Sequence, residues 1–166
     1  MLQGRSDITT IPTMPNDTNP TSNLCVLSGS FEYKLDSQNR VAVPSEWRKQ
    51  SPTGCFVLIP GRDRTLQLYT EEVYQERIGN KLKKLSPSNA DDLKKLRMLG
   101  AMTHKLQCDK QGRIQIPKDL MDYANLKDNV AFIASSDFGQ IMDGDRWRAE
   151  LEARDEAGDS FLDVLN

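Results

Sequence analysis

The chain has 166 residues, 37% of them hydrophobic, and its 22 Lys and Arg against 24 Asp and Glu leave a formal net charge of -2. That length suits one domain or two small ones, and the acidic balance excludes the strongly basic domain, with a pI above about 9, that marks many nucleic-acid binders. No apolar run approaches the roughly 18 residues of a membrane span, and the start MLQGRSDITT lacks a signal peptide's apolar stretch, so a cytoplasmic protein is the default expectation.

Residues 1–29 are rich in Thr, Pro, Asn and Ser and hold too little apolar content to offset the entropy of ordering them, so they read as a flexible extension. At FEYKLDSQNRVAVPSEW the pattern changes. Apolar and polar residues alternate, turn, and alternate again, as in a short hairpin. Pro44 suits the first turn of a helix, with Glu46 placing negative charge near its N-terminus. Strands follow at CFVLI (55–59) and TLQLY (65–69), joined by the polar turn Gly61-Arg62-Asp63-Arg64. Thr70 is a candidate N-cap for a helix that sets Tyr74, Ile78, Leu82 and Leu85 at helical spacing and breaks at Ser86-Pro87. A second helix from about Ser88 lines up Leu93, Leu96, Leu99 and Met102 on one face. Lys81, Lys83, Lys84, Lys94, Lys95 and Arg97 give this linker a basic outer side, most simply a solvated one.

A shift of 73 residues then lays LDSQNRVAVP (35–44) on CDKQGRIQIP (108–117), and without a gap it continues to place Val57 on Val130, Gln67 on Gln140, Leu68 on Ile141 and Tyr74 on Trp147. Two related half-domains, 30–80 and 103–151, are implied, joined by a helical linker, 81–102, and followed by an acidic tail, 152–166. The second copy supplies its own helix-starting Pro117, strands VAFIA (130–134) and QIM (140–142), and the candidate N-cap Asp143. Trp47, Tyr123 and Trp147 sit at helical apolar positions and read as core. Charge divides along the same boundaries: -1 on residues 1–29, +4 on 30–142 and -5 on 143–166.

The inventory leaves little room for catalysis. Cys25, Cys55 and Cys108 are far apart and share one histidine, His104, so no structural zinc site is assigned; Cys55 and Cys108 lie in apolar runs and read as buried thiols. His104 has no nucleophile and acid partner in any recognisable motif, and the glycines match neither a P-loop nor a dinucleotide fingerprint. No catalytic residue, metal or cofactor is assigned, and the chain reads as a non-enzyme.

What repeats is Asp-x-x-(Asn/Gly)-Arg between two strands. Asn39 and Gly112 stand where a tight loop needs positive φ. Closing the loop brings Asp36 opposite Arg40 and Asp109 opposite Arg113, so that each carboxylate orients a guanidinium and leaves part of its donor fork free. Such an arginine can grip phosphate or the O6/N7 edge of guanine. The residues alone leave a second reading open, in which each pair only fastens its turn.

Together, LDSQNRVAVP, CDKQGRIQIP, the helical linker between them and the stretch RIQIPKDLMDYANLKDNVAFIASSDFGQIMDGDRW resemble the MraZ family of bacterial transcriptional regulators, built from two AbrB-like half-domains. The resemblance covers about residues 29–150. It implies an α+β fold with a mainly β core, a swapped-hairpin barrel made from the two repeats with helical linker and flanking helices. It also implies a nucleoid-associated regulator whose chains form a ring-shaped homo-oligomer and bind direct repeats in promoter DNA, usually that of the cell-division and cell-wall gene cluster. The DNA-binding role carries over to Arg40 and Arg113, with Asp36 and Asp109 as orienting partners. Where the family usually carries Lys-Gly before the first of these arginines, this chain has Gln38-Asn39; Lys110 in the second copy, and Lys34 and Lys105 near the strands, are the candidates to replace the missing cation. No membrane or small-molecule partner is expected. An antitoxin-like module of the same fold, binding DNA with its barrel and a partner with its tail, is the alternative.

Overall fold

A computed structural model of the chain describes residues 26–166, so the expected extension up to residue 25, Cys25 included, lies outside the described residues. The first repeat contains β1 (Ser30–Lys34), β2 (Arg40–Ala42), α1 (Ser45–Arg48), β3 (Cys55–Pro60) and β4 (Leu66–Thr70). A helical segment follows, α2 (Glu71–Tyr74), a π-helical turn (Gln75–Gly79) and α3 (Asn80–Leu82), and then α4 (Ala90–Ala101). The second repeat repeats the order with β5 (His104–Gln107), β6 (Arg113–Gln115), α5 (Lys118–Tyr123), β7 (Asn129–Ser135), β8 (Phe138–Asp143) and α6 (Gly144–Ala157). The expected caps are used: Thr70 accepts from the Val73 N–H and Asp143 from the Asp145 N–H, while Asn89 caps α4 through the N–H groups of Asp91 and Asp92.

The two repeats are interleaved. Six strands form an antiparallel sheet in the order β1-β7-β8-β4-β3-β5, and β2 pairs with β6 in a separate two-stranded ribbon. The first strand of each repeat therefore pairs within the other, β1 with β7 and β5 with β3. This corrects the hairpin expectation. The chain does turn between β1 and β2, but these strands leave the turn for different partners. The resemblance implies a closed barrel, whereas hydrogen bonding leaves the six-stranded sheet open, with β1 and β5 as its edges. The reason is local: past Leu35 and Cys108 the chain turns out of the sheet into the ribbon, and the ribbon strands find each other.

The 73-residue shift is also a spatial symmetry. It converts the pair Arg40–Gln115 into Arg113–Ala42 and Leu68–Gly139 into Ile141–Leu66, while Val41–Ile114 and Gln67–Gln140 map onto themselves. A pseudo-twofold axis passes between these two self-matched pairs. The gapless alignment slips at one strand. β1 sets Phe31 against Phe132, and β5 sets His104, the counterpart of Phe31, against Leu58, so Leu58 and not Val57 shares its place with a core residue of β7. Burial agrees: Phe56, Leu58, Val130 and Phe132 face the main core, whereas Val57 faces a second cluster with Ile59 and Tyr69. The longer α5 adds the residue that a shorter β7–β8 turn removes.

The main core is closed by α1, whose Trp47 is buried and lies edge-on to Phe31 and Phe132. Gly139 on β8 makes this possible, since a Cβ there would lie 2.2 Å from the indole. Other expected core residues are less buried. Trp147 is half-buried on α6, and Tyr123 is half-buried with its hydroxyl donating to the Gly61 carbonyl and its ring beneath the Arg64 guanidinium. Cys55 and Cys108 are half-buried at the β3–β5 seam instead of deep in the core; burial still pushes the Cys108 thiol upward. On α4, Leu99 and Met102 pack against the molecule, but Leu93 and Met98 are exposed. No helix among the described residues is long and apolar enough to cross a membrane.

Candidate nucleic-acid interface

The two Asp–Arg turns share one hydrogen-bond pattern. At the first, the Asn39 N–H donates to the Asp36 carbonyl and the Asp36 N–H to the Arg40 carbonyl, closing the loop; at the second, Gly112, Asp109 and Arg113 do the same. Asn39 and Gly112 hold φ values of 58° and 74°, the conformation expected of them. Asp36 Oδ1 accepts the N–H groups of Gln38 and Arg40 at 2.8 Å, and its Oδ2 accepts Arg40 Nε at 2.7 Å. Asp109 Oδ1 accepts from Gln111 and Arg113 at 2.9 and 3.0 Å, and its Oδ2 accepts Arg113 Nε at 2.9 Å. The backbone N–H of the arginine, more than its guanidinium, holds each carboxyl below its usual range.

This geometry spends the Nε of each arginine on its own aspartate, with about a third of the Arg40 side chain and about a quarter of the Arg113 side chain left exposed. Among the described residues the Nη atoms of Arg40 make no hydrogen bond, and Arg113 Nη1 lies 3.7 Å from Asp36 Oδ2, which brings the two turns side by side. The ribbon explains the orientation. Side chains alternate across a strand, so the buried Val41 and Ile114 point into the core while Arg40, Ala42, Arg113 and Gln115 stand on the opposite, outer face. Lys34 ends β1 at the first turn and Lys110 lies in the second; both are exposed.

Two residues at this surface escaped the sequence reading. Arg48, at the end of α1, donates from Nε to the Val43 carbonyl at 3.1 Å and lays its guanidinium against Gly112, where a Cβ would meet Nη1 at 2.3 Å. Its counterpart under the 73-residue shift is Met121, so Arg48 adds a cation to the second turn alone. Gln115 donates from Nε2 to the Gln38 carbonyl at 3.0 Å, tying the ribbon to the first turn. Beside the ribbon an open groove of about 480 Å³ is lined by Asn39, Lys105, Gln107, Gln115 and Lys118 among others. At its flank His104 Nε2 lies 2.9 Å from Asp119 Oδ2, joining β5 to α5 and holding the Asp119 carboxyl low. Among the described residues no group of three or more His, Cys, Asp or Glu could hold a metal ion.

The family model described as "MraZ protein, putative antitoxin-like" matches twice, over residues 26–98 and 98–160. The chain belongs to the MraZ family. Its two MraZ matches meet at residue 98, within α4. Each MraZ match contains one Asp–Arg turn and one strand of the ribbon, so the paired arginines arise only where the two repeats combine.

Proposed function

We propose that the protein is a sequence-specific DNA-binding transcriptional regulator that inserts the β2–β6 ribbon face into the major groove. A two-stranded ribbon fits that groove, and arginine paired bidentately with guanine is its commonest specific contact. The observation that carries this reading is the pair of dyad-related arginines on the outer face of the ribbon, each held at Nε by an aspartate. Lys34, Lys110 and Arg48 supply phosphate contacts around it. The low overall charge is compatible with this assignment because Lys34, Arg40, Arg48, Lys110 and Arg113 stand at or beside the two turns even though the chain as a whole is acidic.

One ribbon offers few contacts, so affinity comes from several ribbons engaging direct repeats at once on a ring-shaped homo-oligomer. Linked sites gain about 100-fold or more in avidity when geometry fits. The promoter of the protein's own gene, within a division and cell-wall cluster, is the first target to test. An antitoxin-like activity is the second reading. It is favoured by the C-terminal turn Ser160–Leu165, where Phe161, Val164 and Leu165 are exposed and open to a protein partner.

The test is fluorescence anisotropy with the DNA upstream of the gene, at several salt concentrations. Arg40→Ala and Arg113→Ala each weaken binding and relax the preference for guanine at the contacted position, whereas Lys110→Ala lowers the slope of log affinity against log salt by about 1. Binding unchanged in both arginine variants overturns the assignment.

A further inference from the structure

The pseudo-twofold axis relates Arg40 to Arg113, but it relates Gln115 to Ala42. The ribbon therefore carries an arginine at each of the two equivalent places on its outer face but different residues opposite them. Across the ladder Gln115 sits opposite Arg40, whereas Arg113 faces only the methyl group of Ala42. Gln115 is exposed, and its amide is already oriented by the Nε2 donation to the Gln38 carbonyl. That bond uses one of two Nε2 hydrogens. The other, together with Oε1, has no hydrogen-bond partner among the described residues. A glutamine with one free donor and one free acceptor matches the major-groove edge of adenine, where N7 accepts and N6 donates; no other base presents that pair in that order. Ala42 offers no polar atom and suits a thymine methyl group at the equivalent place.

We propose that Gln115 is a specificity-determining residue that reads one adenine beside the guanine contacted by Arg40, and that its absence from the Ala42 position makes the element read by each ribbon non-palindromic. This rests on the reading of the ribbon as a DNA-binding element. It also accounts physically for head-to-tail repeats of one element: an asymmetric reader repeated in one direction needs sites repeated in one direction.

The experiment selects binding sites from a randomised duplex library with the full chain and with Gln115→Ala, Gln115→Glu, Ala42→Gln, Arg40→Ala and Arg113→Ala. The wild type selects a non-palindromic element with one A·T pair fixed. Gln115→Ala loses the preference at that pair by about 5- to 150-fold, the range expected of one bidentate contact, and leaves the other positions intact. Gln115→Glu moves the preference there from adenine to cytosine, whose N4 donates to a carboxylate. Ala42→Gln shifts the selected element toward a palindrome. A preference unchanged in Gln115→Ala, an even loss of affinity across all bases, or a palindromic wild-type element overturns the proposal while the arginine variants still bind more weakly than the wild type. If the arginine variants bind as the wild type does, the DNA-binding reading itself fails.

Discussion

At Asp36 and Asp109 one carboxylate is shared among two backbone N–H groups and a guanidinium, so its charge sets both the turn and the aim of the arginine. Asparagine at these positions keeps an acceptor for the backbone but offers an N–H₂ to Arg Nε, which cannot accept it. Asp36→Asn and Asp109→Asn therefore weaken DNA binding while circular dichroism stays that of the wild type. The same groups carry a pH dependence. Both carboxyls are lowered from the ordinary value of 3.8, so their stabilising contribution is present above that value and is lost as pH falls through the lower folded value. Urea midpoints measured from pH 6 downward show the wild type losing its advantage over the double Asn variant below about pH 4. These pairs were legible in the sequence because each is closed within five residues by a turn whose chemistry Asn39 and Gly112 announce. Arg48 and Gln115 were not. Their partners, Gly112 and Gln38, lie 64 and 77 residues away and meet them only after the repeats have combined.

Among the elements, β1 to β4, β7 and β8 overlap the segments where alternation or apolar runs predict strands, β5 and β6 fall where the 73-residue repeat carries β1 and β2, and the caps at Thr70 and Asp143 are the ones their side chains suggest. Pairing was less legible than position. A strand's period of two says which side chains share a face but not which strand lies alongside, and here β1 and β2 look like hairpin arms while each pairs with the other repeat. The slip at Val57 has the same origin, since one residue of displacement exchanges the two faces of a strand. Packing of α1 on β8 is a tighter constraint than any propensity. With Trp47 pressed on Gly139, Gly139→Ala forces the indole off its place and lowers stability by about 1–3 kcal/mol, measured by thermal or urea unfolding. A Gly139→Ala protein as stable as the wild type overturns this packing argument.

For the molecule as a whole, the apolar inventory is unevenly used. The core takes both repeats, yet α4 holds Leu93 and Met98 exposed, at 39% and 58%, among Lys94, Lys95 and Arg97. The proposed ring makes them candidates for the contact between chains. Leu93→Glu with Met98→Glu shifts the oligomer measured by light scattering toward monomer, without loss of helical signal; an unchanged oligomer removes α4 from the subunit contact. Reciprocal exchange of β1 and β5 has a consequence during synthesis. The partner of β1 lies about 100 residues further along, and a ribosome adding about 5–20 residues per second takes of the order of 5–20 seconds to make it. Through that interval β1 emerges with neither edge paired, a hazard for any strand. Its sequence, SFEYK, meets the hazard with Glu32 and Lys34 alternating with Phe31 and Tyr33, so that the waiting strand keeps charge between its aromatic rings until β7 arrives.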